Sequence, residues 1–406
     1  MPLAPESWMA TAAFGLVAAM FAATAASKLY HQRWVRRLAP LESPPAAAGA
    51  PPVRVSVVIA ARDEADTIAP TVRALLAQQG VAIEVIVVSD RSRDDTAAIV
   101  RAIARDDPRT RAIEVTALPE RWIGKCHACY TGAAAATGEW ILFTDADCRL
   151  APDVIARALA AAMREDADHV ALTPAPIDPT LGAKAWYLVF GASVADWISA
   201  ANRDRKDGHF GIGAFNLVRA STYRACGGYE ALRLTILDDV RLSLLVRRAG
   251  GRSRIYLGAD DVLCNWATSV GDALRLTEKN YFAAIDFRTP VAVGGAVAVA
   301  LLFGTPLAGF ASGTWLGLAC GLSPGLLSIP AAIGAPRVGW SPAVALLVPF
   351  FYPLPMYAML RSAVLTLRQG GVRWRDTFYP TAMLRDGAVG TSVGKRRRDR
   401  SARQRA

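Results

Sequence analysis

From Trp8 to Tyr30 the chain reads WMATAAFGLVAAMFAATAASKLY. That is roughly 20 residues without a charge until Lys28, the length a helix needs to cross the hydrocarbon layer. A cleaved signal peptide would carry a basic leading region and a shorter apolar core, so the segment reads as a retained anchor. A second apolar block runs from about Pro290 to Leu367 and contains three segments long enough to span: PVAVGGAVAVALLFGTPLAGF, WLGLACGLSPGLLSIPAAIG and AVALLVPFFYPLPMYAMLRSAVL. The third carries Pro349, Pro353 and Pro355, which interrupt a helical hydrogen-bond ladder. The hydrophobic share of 53% fits a chain partly in a membrane.

The expected organisation is therefore an anchor over 1–32, a basic and Pro/Ala-rich linker over 33–52, a globular domain over 53–288, a membrane block over 289–367 and a basic tail over 368–406. Lys28, Arg33, Arg36 and Arg37 follow the first span while MPLAPESW has no Lys or Arg, which puts the globular domain on the cytoplasmic side. Arg361, Arg368, Arg373, Arg375 and KRRRDRSARQRA put the C-terminus there as well. Four full spans would give the same orientation to both ends, so these signals conflict. The conflict is resolved if the proline-broken segment dips in without crossing. The expected location is a cell inner membrane, multi-pass.

The net charge of +11 lies largely beside the apolar segments and in the tail. It reads as a topology signal and an attraction to anionic headgroups, with no nucleic acid as partner. The six cysteines form no framework; CHAC, Cys126 to Cys129, has redox spacing, but its His lies inside the pair and no second CxxC exists for zinc. They read as ordinary cytosolic thiols.

Within the globular domain, Val53 to Ile59 is a β-branched run that reads as a buried parallel-type strand ending at Ala60 and Ala61. Ile68, Val72, Leu75 and Leu76 follow at helical spacing. IEVIVVSD is a second strand, DDTAAIVRAIARDD a second helix with Asp94 and Asp95 in its first turn, AIEVTAL a third strand, HACYTGAAAATG a small-residue helix and EWILFTDAD the next strand. Alternation of strand and helix predicts an α/β fold with an open, mostly parallel sheet covered on both faces.

Ligands bind such sheets beyond the carboxyl ends of the strands. Arg62, Asp63 and Glu64 fall there after the first strand, Asp90 and Ser92 after the second, Asp145 and Asp147 after the later one. Any one Asp is as well explained by a turn. Carboxylates gathered from three strand ends repel one another unless a cation joins them, and Mg²⁺ or Mn²⁺ suits an oxygen site completed by phosphate and water. An Asp-x-Asp at a strand end is thus suited to a metal-diphosphate. The first strand-helix turn, AARDEAD, lacks glycine, GIGAFN lacks the third glycine, and no Walker sequence surrounds Gly124 and Lys125, which argues against dinucleotide and P-loop chemistry.

The ordered set VSVVIAARDEA, VVSDRSRDDT, GKCHACYTGAAAATGEWILFTDADC and GAFNLVRASTYRACGGYEALRLTILDDVRLSLLVRRAG resembles the signatures of family 2 glycosyltransferases, over about residues 52 to 288. LPERWIGK and LDD look most like the membrane-anchored branch with hopene-associated and carotenoid-type relatives. The resemblance implies a GT-A fold, a nucleotide-diphospho-sugar transferase domain, between N-terminal and C-terminal transmembrane helices. It assigns Ala60, Arg62 and Glu64 to the wall around the base and ribose, Asp90 to the base, and Ser92 and Asp94 to the shape of that loop. It sets Lys125 near the phosphates and Asp145 and Asp147 on a metal-diphosphate. Asp239 becomes the general base, with Asp238 in place of the family's common glutamate. Arg91 stands where the family often has Gly. The Gln-x-x-Arg-Trp motif of processive synthases is absent after Asp239, which favours single transfer. Trp266, Lys279, Asn280, Tyr281 and Phe282 read as an acceptor lip or an interface belt.

The expected function is inverting, Mg²⁺- or Mn²⁺-dependent transfer from a nucleotide-sugar, first a UDP-sugar, to a lipid or isoprenoid-type acceptor at the membrane. A polyprenyl phosphate acceptor, or a scaffold that only binds nucleotide-sugar, are the alternatives.

Overall fold

The structure, a computed structural model, describes residues 5–41, 51–206 and 208–387. Residues 42–50 of the expected linker and the basic stretch KRRRDRSARQRA lie outside the described residues. The chain forms two compact units, each made of discontinuous segments.

The larger unit comprises Trp34–Ile177, Trp197–Trp266 and the described part of Gly371–Ala406. Its strands are β1 (Arg36–Arg37), β2 (Arg54–Ala61), β3 (Ala82–Asp90), β4 (Thr110–Val115), β5 (Trp140–Asp145), β6 (Cys148–Leu150), β7 (His169–Pro176), β8 (Asn216–Arg219) and β9 (Ser253–Cys264), followed by a separate hairpin of β10 (Gly371–Trp374) and β11 (Thr377–Pro380). Among the described residues the first nine form one sheet in the order β1-β9-β7-β8-β5-β2-β3-β4, with β6 on β9. β5, β2, β3 and β4 run parallel; β8 is antiparallel to both β5 and β7. Val55, Val57, Val58 and Ile59 of β2 are fully buried, as a strand covered on both faces requires. That burial explains the unbroken apolar run Val57 to Ala61, while the buried Ser56 accepts from the Gly138 amide at 2.7 Å.

The register levels the strand ends. Ala60 lies opposite Asp145 on one side and Val88 on the other, Ala61 opposite Ser89, and Asp90 opposite Val115. The expected helices are present: Ile68–Leu76 buries Ile68, Val72 and Leu75, and Gly124–Ala134 lies against β2 and β3. Asp94 and Asp95 precede the helix Thr96–Asp106 instead of occupying its first turn. Asp94 Oδ1 accepts from the Thr96 amide at 3.0 Å, and its other oxygen accepts from the Ala65 amide at 3.0 Å. The carboxylate therefore ties the loop after β3 to the loop after β2.

The smaller unit comprises the described part of Met1–Arg33, Asp178–Asp196 and Ala267–Gly370. Three of its helical stretches, Trp8–Trp34, Thr289–Ala311 and Trp315–Val338, are long and apolar enough to cross a membrane. The proline-rich stretch forms two helical pieces, Pro342–Phe351 and Leu354–Gln369, bent by 46°. Phe14, Phe21, Val189, Cys320 and Val348 pack together inside this unit, while Leu301, Leu307 and Trp315 are 65%, 71% and 88% exposed. Large apolar side chains left uncovered on long apolar helices suit a lipid environment.

Leu142 on β5 has no exposed surface and sits in the main core of the larger unit. Leu142→Ala is expected to cost about 2–5 kcal/mol, measured as a lowered thermal midpoint of the purified full-length chain, with the far-UV spectrum of the surviving folded fraction unchanged.

Candidate active site

Asp145 ends β5 and is half-exposed; its Oδ1 accepts from Lys125 Nζ at 2.7 Å. Lys125 sits in the first turn of the helix Gly124–Ala134, which directs it across the strand end. Burial opposes the lysine's charge, but the carboxylates of Asp145, Asp238 and Asp239 prevail and hold its ammonium well above its ordinary value. Asp147 follows two residues on, with its Oδ1 at 3.5 Å from Cys264 Sγ and 3.8 Å from Cys148 Sγ. Burial, then the charges of Asp145 and Glu64, pushes the Asp147 carboxyl up to about 6. The thiols of Cys148 and Cys264 are themselves pushed up.

Asp239 lies in the first turn of the helix Asp238–Arg248, where the unsatisfied amides of a helix start favour a carboxylate. Its Oδ1 accepts from the Val240 amide at 2.8 Å and its Oδ2 from the Gly213 amide at 2.9 Å. Burial, then the neighbouring charge of Asp238, pushes its carboxyl up to about 6, against the pull of Lys125. The two acids of LDD are not equivalent. Asp238 is buried, and its Oδ2 accepts from the hydroxyl of the fully buried Tyr229 at 3.0 Å.

The link between the two acid groups is the segment Gly211 to Asn216, which the sequence offers as a failed dinucleotide motif and, from Gly213, as the start of a family signature, with no role assigned to its glycines. A Cβ on Gly213 would lie 2.7 Å from Asp145 Oδ2 and 3.2 Å from Lys125 Nζ, and one on Gly211 would strike the backbone carbonyl of Asp239. Two glycines one residue apart in an apolar stretch were the available signal: they permit the close approach that lets one loop touch Asp145 and Asp239 at once. Asn216 Nδ2 also donates to the Asp239 carbonyl at 3.3 Å.

The remaining expected residues gather at the ends of β2 and β3. Asp90 is buried, and both its oxygens accept from Arg91, Nε at 2.7 Å and Nη2 at 2.8 Å. Ser92 Oγ accepts from the Asp63 amide at 3.2 Å. Glu64 Oε2 accepts from Thr67 Oγ1 at 3.0 Å, and its Oε1 pairs with Arg375. Arg62 Nη1 donates to Thr377 Oγ1 at 3.2 Å. Ala60 lies opposite Asp145. Cys126 and Cys129 are buried free thiols, raised by burial, with Cys126 Sγ donating to the Thr235 carbonyl at 3.4 Å.

Residues 56–227 match the family model described as Glycosyl transferase family 2. This segment belongs to that family. The helix carrying Asp239 and the hairpin at Gly371–Pro380 lie outside the matched range. The chain is 43% identical over 103 residues to the succinoglycan biosynthesis protein ExoO of Rhizobium meliloti (strain 1021), covering 25% of this chain and 28% of that one. It is 27% identical over 194 residues to the 4,4'-diaponeurosporenoate glycosyltransferase of Staphylococcus aureus (strain MRSA252), covering 46% of this chain and 50% of that one. The matches thus span at most about half the length of these relatives. Among solved structures, the mannosyltransferase PcManGT of Pyrobaculum calidifontis, in complex with GDP-Man and Mn²⁺, aligns with a TM-score of 0.57 at 18% identity, over 89% of this chain and 99% of that one. The fold is GT-A, as the resemblance implies.

Proposed function

We propose that the protein is a membrane-bound, inverting glycosyltransferase that moves one sugar from a nucleotide-sugar, first a UDP-sugar, to the hydroxyl of a lipid or isoprenoid-type acceptor. The observation that carries the reading is the single loop at Gly213, which touches Asp145 beside Lys125 and also holds Asp239. One end of this arrangement suits a departing diphosphate and the other an incoming hydroxyl.

Asp145 and Asp147 are the residues that would hold Mg²⁺ or Mn²⁺. The fit rests on Asp147, whose carboxyl is pushed up to about 6 by burial and by the charges of Asp145 and Glu64. An oxygen-seeking cation relieves that repulsion. The thiols of Cys148 and Cys264 adjoin Asp147, but they are held protonated by their surroundings and a hard ion favours oxygen. When bound, the metal would offset charge on the nucleoside diphosphate. Lys125 adds a fixed positive charge from the protein beside Asp145.

On the acceptor side, Asp239 takes the hydroxyl proton as the oxygen attacks the anomeric carbon and the carbon–oxygen bond to the diphosphate breaks. Attack opposite the leaving group inverts the configuration. The Gly213 and Val240 amides fix the carboxylate's direction, while Asp238, tied to Tyr229, positions the helix start beneath it. Ala60, Arg62, Glu64, Asp90 and Ser92 form the nucleoside end.

The lipid acceptor is supported by the apolar helices on either side of the transferase segment and by the name of the Staphylococcus relative, a 4,4'-diaponeurosporenoate glycosyltransferase. Both ends of the stretch Ala267–Gly370 join the unit that carries the sheet. A stretch that leaves and returns on one side crosses a membrane an even number of times. Thr289–Ala311 and Trp315–Val338 would then cross, and the bent pair would be re-entrant, with the sheet on the cytoplasmic side as the positive charges indicate.

The deciding experiment incubates membranes containing the protein with labelled UDP- and GDP-sugars and Mn²⁺ or Mg²⁺, then analyses the lipid extract. Label on a hydroxyl lipid is the expected result; label on a polyprenyl phosphate would replace the acceptor, and no transfer from any donor would end the reading. Asp239→Asn is expected to lower transfer by about 10²–10⁴-fold while melting at or above the wild-type temperature above pH 6. The sign follows from the raised carboxyl: its folded-state ionisation destabilises the fold as pH climbs from the unfolded value through about 6, and the amide removes that charge. Wild-type transfer should accordingly rise through pH 6 and level off above it. Gly213→Ala is expected to cost at least tenfold in turnover, about 1.4 kcal/mol, by pushing on Asp145 and Lys125. Equal turnover in this variant would show that the loop's close approach is not needed.

A further inference from the structure

The last described segment of the chain returns to the strand ends. Within the larger unit, β10 and β11 pair from Gly371↔Pro380 to Trp374↔Thr377, and the connecting turn places Arg375 at a φ of +52°. Four of its residues, Arg375, Asp376, Thr377 and Tyr379, tie this hairpin to the loops after β2 and β3 and to the helix that carries Lys125. Arg375 pairs with Glu64, and Asp376 Oδ2 lies 3.6 Å from Arg62 Nη2 and 3.2 Å from Arg93 Nη1. Thr377 Oγ1 accepts from Arg62 Nη1 at 3.2 Å and from Arg91 Nη1 at 3.4 Å. The buried Tyr379 accepts from the Gly124 amide at 3.1 Å through its hydroxyl.

We propose that this hairpin is a wall of the donor site, and that Thr377 and Tyr379 are positioning residues for a nucleoside diphosphate. The proposal rests on the glycosyltransferase reading above. The hairpin's partners are the arginine and the glutamate after β2, the guanidinium that covers Asp90, and the amide next to Lys125, so four separate parts of the nucleotide end meet one short segment. Arg91 is held from two directions, by Asp90 through Nε and Nη2 and by Thr377 through Nη1. A base arriving at Asp90 therefore meets an anchored ion pair and not a free carboxylate. Arg62 is fixed by Thr377 and Asp376 in the same way. Guanidinium groups held in place before a ligand arrives lose less side-chain freedom when they bind phosphate or base oxygens. A hairpin anchored on them thus strengthens donor binding and leaves proton removal at Asp239 untouched.

The test uses the full-length protein in detergent or membranes. UDP and GDP affinity with Mn²⁺ and the donor KM, acceptor KM and kcat are measured for wild type, Thr377→Val, Thr377→Ser and Tyr379→Phe. Thr377→Val is expected to raise the nucleotide Kd and the donor KM roughly 5- to 30-fold, as for loss of a hydroxyl bonded to charged donors. Thr377→Ser should restore both, and kcat and acceptor KM should stay within about twofold of wild type in every variant. Tyr379→Phe removes one hydroxyl from a buried ring and gives a second reading should the valine variant fold poorly. A wild type that transfers sugar while Thr377→Val and Tyr379→Phe bind nucleotide equally well overturns the hairpin's role alone. A wild type that neither binds a nucleoside diphosphate nor transfers sugar overturns the transferase reading and this inference with it.

Discussion

Carboxylates gathered where parallel strands end repel one another, and the ion pair between Lys125 and Asp145 is the contact that makes their gathering tolerable. The register sets Asp145 opposite Ala60, and two residues further on the Asp147 carboxyl feels the charge of Asp145. Asp239 joins them from a different element with the helix Asp238–Arg248 behind it. A single lysine neutralises part of this charge. Burial, and then the repulsion that remains, push the carboxyls of Asp147 and Asp239 up to about 6. Such stress is expected at a site that binds a charged ligand, since a fold selected only for stability would not keep it.

The loop at Gly213 converts this collection into an arrangement with two ends. Its amide directs Asp239, while the missing side chain leaves room for Asp145 and Lys125. Asp238 has a neighbouring position in sequence and a different environment: buried, bonded to Tyr229, and turned into the packing of Phe143 against Tyr229. One acid is thus fixed structure and the other is held by two backbone amides. The LDD motif does not distinguish them, because adjacent helical residues point some 100° apart and only the fold decides which direction is interior.

Much of the architecture was legible because its signals are local. The continuous Val/Ile runs of β2 and β3, the helical spacing of Ile68, Val72 and Leu75, and the acids followed by Arg247 and Arg248 each encode an element within a dozen residues. The uncharged length of Trp8 to Tyr30 and the prolines that bend the stretch after Pro342 were equally direct. What was not legible depends on distant contacts. Gly211 and Gly213 have meaning only once Asp145 and Asp239 are brought beside them. The hairpin is a few residues long, is rich in arginine, and follows an apolar block, so charge alone read it as part of a tail. Its partners are Arg62, Glu64, Arg91 and Gly124, between about 250 and 320 positions earlier, and no periodicity in a short window reports such pairings.

Arg91 shows how these long-range contacts feed back on a local rule. Its φ of +53° lies in the left-handed region that favours glycine, the residue the family often has there. A side chain in that conformation costs about 1–2 kcal/mol. The bidentate contact with Asp90 offsets that cost, because removing the guanidinium would leave a buried carboxylate without its cation. The same guanidinium reaches Thr377, so the arginine's backbone strain, the burial of Asp90 and the docking of the hairpin are one coupled feature and not three. A glycine at this position would relax the turn but release Asp90 and one of the hairpin's anchors together.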